Sequence, residues 1–445
     1  MHGNHPQDVT HYVSNAAWLI GDSVFGKAFG LIVVAVVARL LGPQDYGMYA
    51  YVMSMIALFT VIGHMGLDGL VVRELVSKPD EQPQIIGTVL GLKGAGYVVG
   101  AILVLAYSLL MPNHQSQERW LFLVAVPGML CMPLISVLKN WFNARVEARY
   151  GVIANLGATL SSGVFKILMV LGGAGVVAVG VGTTLGTVTG ALLIVVLYWR
   201  RGGPRPASWQ FSATRARGLF NEGWMIFAGV ICANVFLKID LVMLRMMQGP
   251  QEVATYAVAS LISEATYFIP AALGATVFPR LVQSSAIAPK AFLAGLQKLF
   301  DLLAFAGIGL FVTLMIIGPP LIHLAFGASY APSATILMIH LFSLPFIFVR
   351  QGFNHWVLVA NKARFFLSSQ ALGAMINVLL NLVLIPGYGG HGAAVATVIS
   401  YAASSLFVLL AFSDTRAIFR LSIRSLGQPW RGWSLVKQTM RQLVR

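Results

Sequence analysis

The chain has 445 residues, of which 57% are hydrophobic and only 10% charged, with a mean hydropathy of +0.78 and a formal net charge of +15. A soluble domain carries about a quarter charged residues, so a water-soluble globule is excluded: most of this surface must meet lipid. The basic residues are dispersed over the chain instead of gathered on one module, which argues against a nucleic-acid partner.

Apolar runs fall at 16–38, 46–66, 85–110, 120–138, 152–172, 176–198, 219–243, 253–276, 299–322, 334–350, 365–386 and 391–412. Most approach or exceed the roughly 17–25 residues that cross a bilayer core. Backbone groups in hydrocarbon must bond within their own segment, so these runs are read as helices. The expected fold class is an all-α polytopic membrane protein of about twelve spans. The first run does not resemble a cleaved signal peptide: no basic residue precedes it, and it contains Asp22 and Lys27. Placing both termini in the cytoplasm puts 22 of the 30 basic residues on the inside and leaves Arg39, Arg119 and Arg245 outside. The positive-inside rule favours that orientation, in a bacterial inner membrane. In the tail, Arg416, Arg420 and Arg424 fall four apart, and after Pro429 so do Lys437, Arg441 and Arg445. That pattern predicts an interfacial helix on an anionic leaflet, with a disordered basic tail as the alternative.

The chain also resembles itself. Asn15, Trp18 and Ile20 recur as Asn221, Trp224 and Ile226; Gly42-Pro43-Gln44-Asp45 recurs as Gly249-Pro250-Gln251-Glu252. Tyr49-Ala50 answers to Tyr256-Ala257, Arg73 to Arg280, and the Lys139–Asn143 stretch to Arg350–Asn354. The repeat unit is six spans, so both copies share one membrane orientation, as in two-lobed carriers. The expected organisation is an N-lobe over 1–199, a basic cytoplasmic linker over 200–218, a C-lobe over 219–412 and an amphipathic tail over 413–445.

Motifs for soluble chemistry fail on context. Gly21-Asp-Ser-Val-Phe-Gly26-Lys27-Ala28 has the spacing of a phosphate loop, but Ala28 replaces the magnesium-binding hydroxyl and no strand precedes it. Gly182, Gly186 and Gly190 read as close helix packing. The histidines lack metal-ligand spacing, and Cys131 and Cys232 read as free thiols. No nucleophile–base constellation is found. A transporter without cofactor or metal is expected, not an enzyme.

Charge at bilayer depth costs several kcal/mol, on the order of 2.5 or more, and marks function or a partner. Lys27 lies about nine residues into the first span, roughly 13 Å deep; Lys93 is similar and Lys166 deeper. All three fall in the N-lobe. They are candidates to neutralise a phosphate, or else snorkel or pair locally, Lys27 with Asp22 for instance. Glu264 is a lone carboxylate in span eight and a candidate coupling site. Lys238 and Asp240 point to different faces of span seven and complete the coupling candidates. Arg350 aligns with Lys139 and reads first as an inner-end anchor, second as a cavity residue.

Arg39-Leu-Leu-Gly-Pro-Gln-Asp-Tyr-Gly47, with Gly66-Leu67 and Arg73-Glu74, resembles the first-loop signature of the polysaccharide-export or Wzx-type flippases. Ile239-Asp240, Tyr256-Ala257-Val258-Ala259 and Phe278-Pro279-Arg280-Leu281 resemble their mid-chain segments. The stretch from Asn377 through Asn381, Pro386 and Gly392 to Thr397 resembles their long late motif. The resemblance implies the multidrug/oligosaccharidyl-lipid/polysaccharide exporter superfamily and a MATE-like fold. It implies a substrate of polyprenyl-pyrophosphate-linked oligosaccharide, moved from the cytoplasmic to the periplasmic leaflet by alternating access. Membrane lipids, a polysaccharide polymerase and glycosyltransferases would be its partners, and a single chain its transport unit. The alternatives are a cation-coupled multidrug exporter or a lipid II flippase of the same superfamily. A membrane glycosyltransferase is disfavoured, because the longest outside loop is only about ten residues, too short for a catalytic loop.

Overall fold

The computed structural model describes residues 6–110, 115–274, 277, 281, 289–360 and 362–443, and contains no strand among them. Arg280, with Phe278 and Pro279 of the motif above, and Arg445 lie outside the described residues. The chain divides into two compact units, Met1–Asn234 and Val235–Arg445.

The first unit opens with α1 (Pro6–His64), which is broken at Gly42, followed by α2 (Asp68–Ser77) and α3 (Gln82–Leu110). Then come α4 (Ser116–Ala144), α5 (Ala148–Leu171) and α6 (Val176–Arg200). α1 packs on α3 and α5, and α6 on α4 and α5. The α5–α6 contact is close because α6 presents glycines: a Cβ on Gly186 would stand 2.6 Å from that of Ser162. This matches the close packing read from the four-residue glycine spacing. At one end of the unit Trp141, Phe142 and Tyr198 pack as a buried aromatic group. Arg145 stacks over Trp141 at 4.0 Å and Arg201 over Tyr150 at 4.4 Å. Basic residues flanking these spans are thus held on aromatic faces, as cation–π attraction favours.

α7 (Ala213–Met247) crosses the boundary between the units. Its first half belongs with the first unit because the preceding basic segment is tied there. Ser212 N donates to Thr88 Oγ1 at 3.0 Å, Arg73 pairs with Glu222 at 2.7 Å, and Arg215 pairs with Glu74 and Glu81. The boundary therefore falls inside a helix, later than the composition shift at 200–218.

The second unit continues with α8 (Pro250–Glu264), α9 (Pro289–Phe326), α10 (Pro332–Leu341) and α11 (Leu344–Val359). α12 (Ala363–Ser405) is broken at Gly389. Just past that break the Gly390 amide donates to Glu252 Oε2 at 2.8 Å, tying α12 to the start of α8. The tail folds as α13 (Arg416–Gly427) and α14 (Trp430–Leu443), both packed on α9. Ile418 on α13 is buried.

Nine helices among the described residues are long and apolar enough to cross a membrane, or ten if α10 and α11, bent by 42°, form one span. α1 and α12 are broken internally and have 59 and 43 residues. Each is long enough for two crossings, while the candidate spans among the described residues number nine or ten against the expected twelve. The break at Gly42 shares its geometry with the turn at the matching position of the sequence repeat. Gly42 has φ 78° and ψ 169°, and its repeat partner Gly249 has φ 102° and ψ 179°, each followed by a proline. Only glycine adopts that region without strain, and the proline then pre-sets the next helix start.

Gly249→Ala should therefore cost about 1–3 kcal/mol, although its Cβ would meet no neighbour. Gly309→Ala, equally open but inside a helix, should be neutral or slightly stabilising. Thermal unfolding followed with a maleimide dye on Cys131 and Cys232 reads both. A wild-type Tm for Gly249→Ala would refute the strained-turn assignment.

Candidate functional site

Each unit holds buried polar clusters, and their chemistry sorts the candidate residues. In the first unit Lys93 is fully buried, and its Nζ donates to Asp68 Oδ1 and to Ser136 Oγ, both at 2.6 Å. Asn140 Nδ2 donates to the same carboxylate oxygen at 2.6 Å, and His64 lies 3.4 Å from the other. The ammonium is neutralised inside its own lobe. Asp68, which provides the partner, stands at the start of the short helix α2, where hydropathy alone shows no site.

Lys166 is different. It is half-buried on α5, and its Nζ donates to Tyr49 OH at 3.1 Å and sits 5.5 Å from that ring's centre. The Tyr49 hydroxyl in turn meets Thr183 Oγ1 on α6 at 2.9 Å. Among the described residues Lys166 has no carboxylate partner. It lines a cavity of about 380 Å³ with Phe29, Val33, Asn155, Ser162, Thr183 and Thr187. The stem lies against Gly182, where a Cβ would come within 2.7 Å of it. Lys27 is exposed and makes no ion pair with Asp22, whose Oδ1 accepts from Asn155 Nδ2 at 2.8 Å.

The second unit repeats the tyrosine arrangement with the opposite charge. Tyr256, the repeat partner of Tyr49, donates to Asp240 Oδ2 at 2.5 Å and meets Thr397 Oγ1 at 3.1 Å. Thr397 Oγ1 also donates to Asp240 Oδ2 at 2.9 Å, and Asn381 Nδ2 to Asp240 Oδ1 at 2.6 Å. Asn377 Oδ1 accepts from Asn381 at 3.2 Å. Asp240 is 3% exposed and, among the described residues, has no cationic partner. The Oδ1 of Asn381 beside it is buried without a hydrogen bond. This is a cluster of polar side chains around a single buried negative charge, a group able to take up a proton or a hard monovalent cation. No group of three His, Cys, Asp or Glu suited to a multivalent metal occurs among the described residues.

Two candidates change character. Glu264, read as a lone carboxylate, pairs with Lys238 Nζ at 3.2 Å, where α8 ends in a turn. Lys238 and Asp240 do face different neighbours, as their spacing required. Arg350 stands over two aromatic rings, 5.1 Å from Tyr401 and 5.7 Å from Phe236, and its Nη1 is buried without a hydrogen bond. Among the described residues no carboxylate pairs with it. The Tyr49, Tyr256, Asn377 and Thr397 contributions were not read from sequence as site chemistry. Their signal was present, in the repeated Tyr-Ala pair and in the late Asn-rich motif.

A family model described as "Polysaccharide biosynthesis protein" matches residues 12–285. The chain belongs to that family. As a family member it is 25% identical over 296 residues to a "Putative O-antigen transporter" of Shigella flexneri, covering 60% of this chain and 66% of that protein, just under two thirds. It is 20% identical over 403 residues to a "Probable low-salt glycan biosynthesis flippase Agl15" of Haloferax volcanii, covering 86% of this chain and 80% of that protein. Among solved structures, the fold is similar to "Lipid II flippase MurJ, inward closed conformation", with TM-score 0.74, 14% identity, and coverage of 97% and 100%. It is also similar to an inward-facing multidrug resistance MATE family transporter of the MOP superfamily, with TM-score 0.70, 14% identity, and coverage of 92% and 98%. The polysaccharide biosynthesis family member thus has the fold of the MOP superfamily, as its first-loop and late motifs implied.

The Lys93–Asp68 pair is expected to act as a structural link. Lys93→Met should cost about 2–3 kcal/mol, below the 3–5 of a fully buried pair, because the Asp68 side chain is 35% exposed. Adding Asp68→Asn should recover part of that loss. Tm values for both single variants and the double complete the cycle, and additive losses would show that the two groups do not interact.

Proposed function

We propose that this protein is a flippase that carries polyprenyl-pyrophosphate-linked oligosaccharide, such as an O-antigen, capsule or exopolysaccharide repeat unit, across the cytoplasmic membrane by alternating access. The family membership and the named roles of the Shigella and Haloferax relatives support the substrate class. The observation that carries the reading is the Lys166 ammonium, held on a cavity wall without a carboxylate. A cation kept at membrane depth without a counter-ion is stable mainly when it has an anion to meet, and a pyrophosphate is such an anion. Arg350 supplies a second unpaired cation, whose planar fork suits phosphate oxygens. Lys93 serves the scaffold, and Lys27 is a peripheral contributor. The chain is a transporter without catalytic chemistry of its own, and both termini face the cytoplasm.

Coupling is assigned to Asp240. Its carboxylate, ringed by Tyr256, Thr397 and Asn381, is the group best able to take up a proton or a sodium ion. Glu264 and Lys238, already paired with each other, are secondary. The likeness to MurJ and to MATE transporters is one of fold and does not favour lipid II or a drug as the cargo.

Two outcomes test this. Lys166→Gln combined with Arg350→Gln should reduce surface-glycan display by about a hundredfold or more. Each charge-assisted bond to phosphate is worth about 1.5–3 kcal/mol, and lipid-linked repeat units should accumulate inside. Display measured in a deletion strain, at matched protein level by immunoblot, decides it: wild-type display in the double variant would refute the anion role. Separately, Asp240→Asn in proteoliposomes should bind substrate but lose all stimulation by an imposed proton or sodium gradient. Stimulation that persists in Asp240→Asn would move coupling elsewhere.

A further inference from the structure

The C-terminal helix pair is a large charged feature that the proposed function leaves unused. From Arg416 onward the chain contains no Asp or Glu and seven Arg or Lys. Such a segment could be a loose basic tail, but it is docked by a buried polar lock. Asp301 on α9 is 3% exposed, and its carboxylate accepts from Arg431 Nε at 3.1 Å and from Ser425 Oγ at 2.7 Å. Gln297 Nε2 donates to both Asp301 Oδ1 and Ser425 Oγ at 2.7 Å. Gly432 allows the close approach, since a Cβ there would collide with the Asp301 carbonyl oxygen.

The lock consumes Arg431 and fixes which way the other side chains point. Arg416, Arg420 and Arg424 are exposed on α13. Trp430, Trp433, Lys437 and Arg441 are exposed on α14, at successive spacings of three, four and four that put them on one face. Two indoles among cations of one sign form a surface suited to a membrane–water interface.

The depth is right as well. α9 has 38 residues, about 57 Å of helix, while the hydrocarbon core is about 30 Å thick. The apolar run at 299–322 is the crossing part of this helix. Gln297 and Asp301, which hold the tail, therefore sit at its N-terminal edge, at headgroup level.

We propose that the outward face of α13 and α14 binds anionic phospholipid headgroups of the leaflet that surrounds the N-terminal end of α9. The Arg and Lys side chains meet lipid phosphates, and Trp430 and Trp433 sit at the acyl boundary. This rests on the membrane placement of α9 and not on the identity of the transported substrate. A protein partner would instead leave the face in water until it bound.

The test uses the full-length protein in nanodiscs of phosphatidylcholine and phosphatidylglycerol, with bromine on the acyl chains of one lipid at a time. The Trp430/Trp433 signal is taken as the difference between wild type and the Trp430→Phe/Trp433→Phe variant. Brominated phosphatidylglycerol should quench it at least about fivefold more than brominated phosphatidylcholine at equal mole fraction. Arg416→Gln, Arg420→Gln, Arg424→Gln, Lys437→Gln and Arg441→Gln together should bring the ratio to about one. Asp301→Asn, which leaves those charges in place, should lower it by loosening the tail. Equal quenching by the two lipids in wild type, or preference retained in the five-residue variant, overturns the proposal. So does strong quenching by aqueous acrylamide with none by either lipid, which would mark a face kept for a protein. If the five-residue variant fails to fold, native mass spectrometry of the wild type decides instead. Retention of more phosphatidylglycerol than phosphatidylcholine supports the proposal, and equal retention overturns it.

Discussion

A charge inside hydrocarbon has to be answered, and the way each one is answered organises this molecule. Moving an ion out of water costs several kcal/mol after relaxation, on the order of 3 or more, a large fraction of the roughly 5–15 kcal/mol by which an ordinary fold is stable. Lys93 meets the cost with Asp68 and Ser136, and Lys238 meets it with Glu264. Asp240 is surrounded by neutral donors. Lys166 and Arg350 are left with a hydroxyl and with aromatic faces, which soften the charge without cancelling it. The first group builds the lobes. The second leaves charge that no carboxylate among the described residues neutralises.

The two units answer these charges with similar hydroxyl pairs. Tyr49 meets Thr183 and Tyr256 meets Thr397, and the two tyrosines are partners in the sequence repeat. In the first unit the pair stands beside an ammonium on α5; in the second it stands beside the Asp240 carboxylate on α7, which also accepts from Asn381. Similar hydroxyl pairs thus stand beside charges of opposite sign. The turns at Gly42 and Gly249 share their backbone geometry as well.

What was legible in the sequence follows from range. Spans and glycine packing depend on neighbours three or four residues away, and hydropathy and spacing report those directly. Partners in space do not show themselves that way. Lys93 and Asp68 are 25 residues apart, on α3 and at the start of α2, and Lys238 and Glu264 are 26 apart on successive helices. Glu264 therefore looked alone, and Lys93 looked as free as Lys166. Tyr256, Asn377 and Thr397 were visible as repeat and motif, but nothing local says that they converge on Asp240. The tail shows both sides: its basic periodicity was plain, while the lock that turns Ile418 inward depends on Asp301, more than a hundred residues earlier.

The bond between Glu252 and Gly390 has a mechanical meaning. A break in a helix frees amides from the ladder, and a loose joint there would act as a hinge. Here a carboxylate from the first turn of α8 takes the freed amide, and a side chain at Gly389 would collide with it. Displacement of α8 at that end is passed to α12 through a short stiff link instead of being absorbed by slack backbone. The joint that looks most ready to flex is clamped, so strain must be relieved at some other place in the chain.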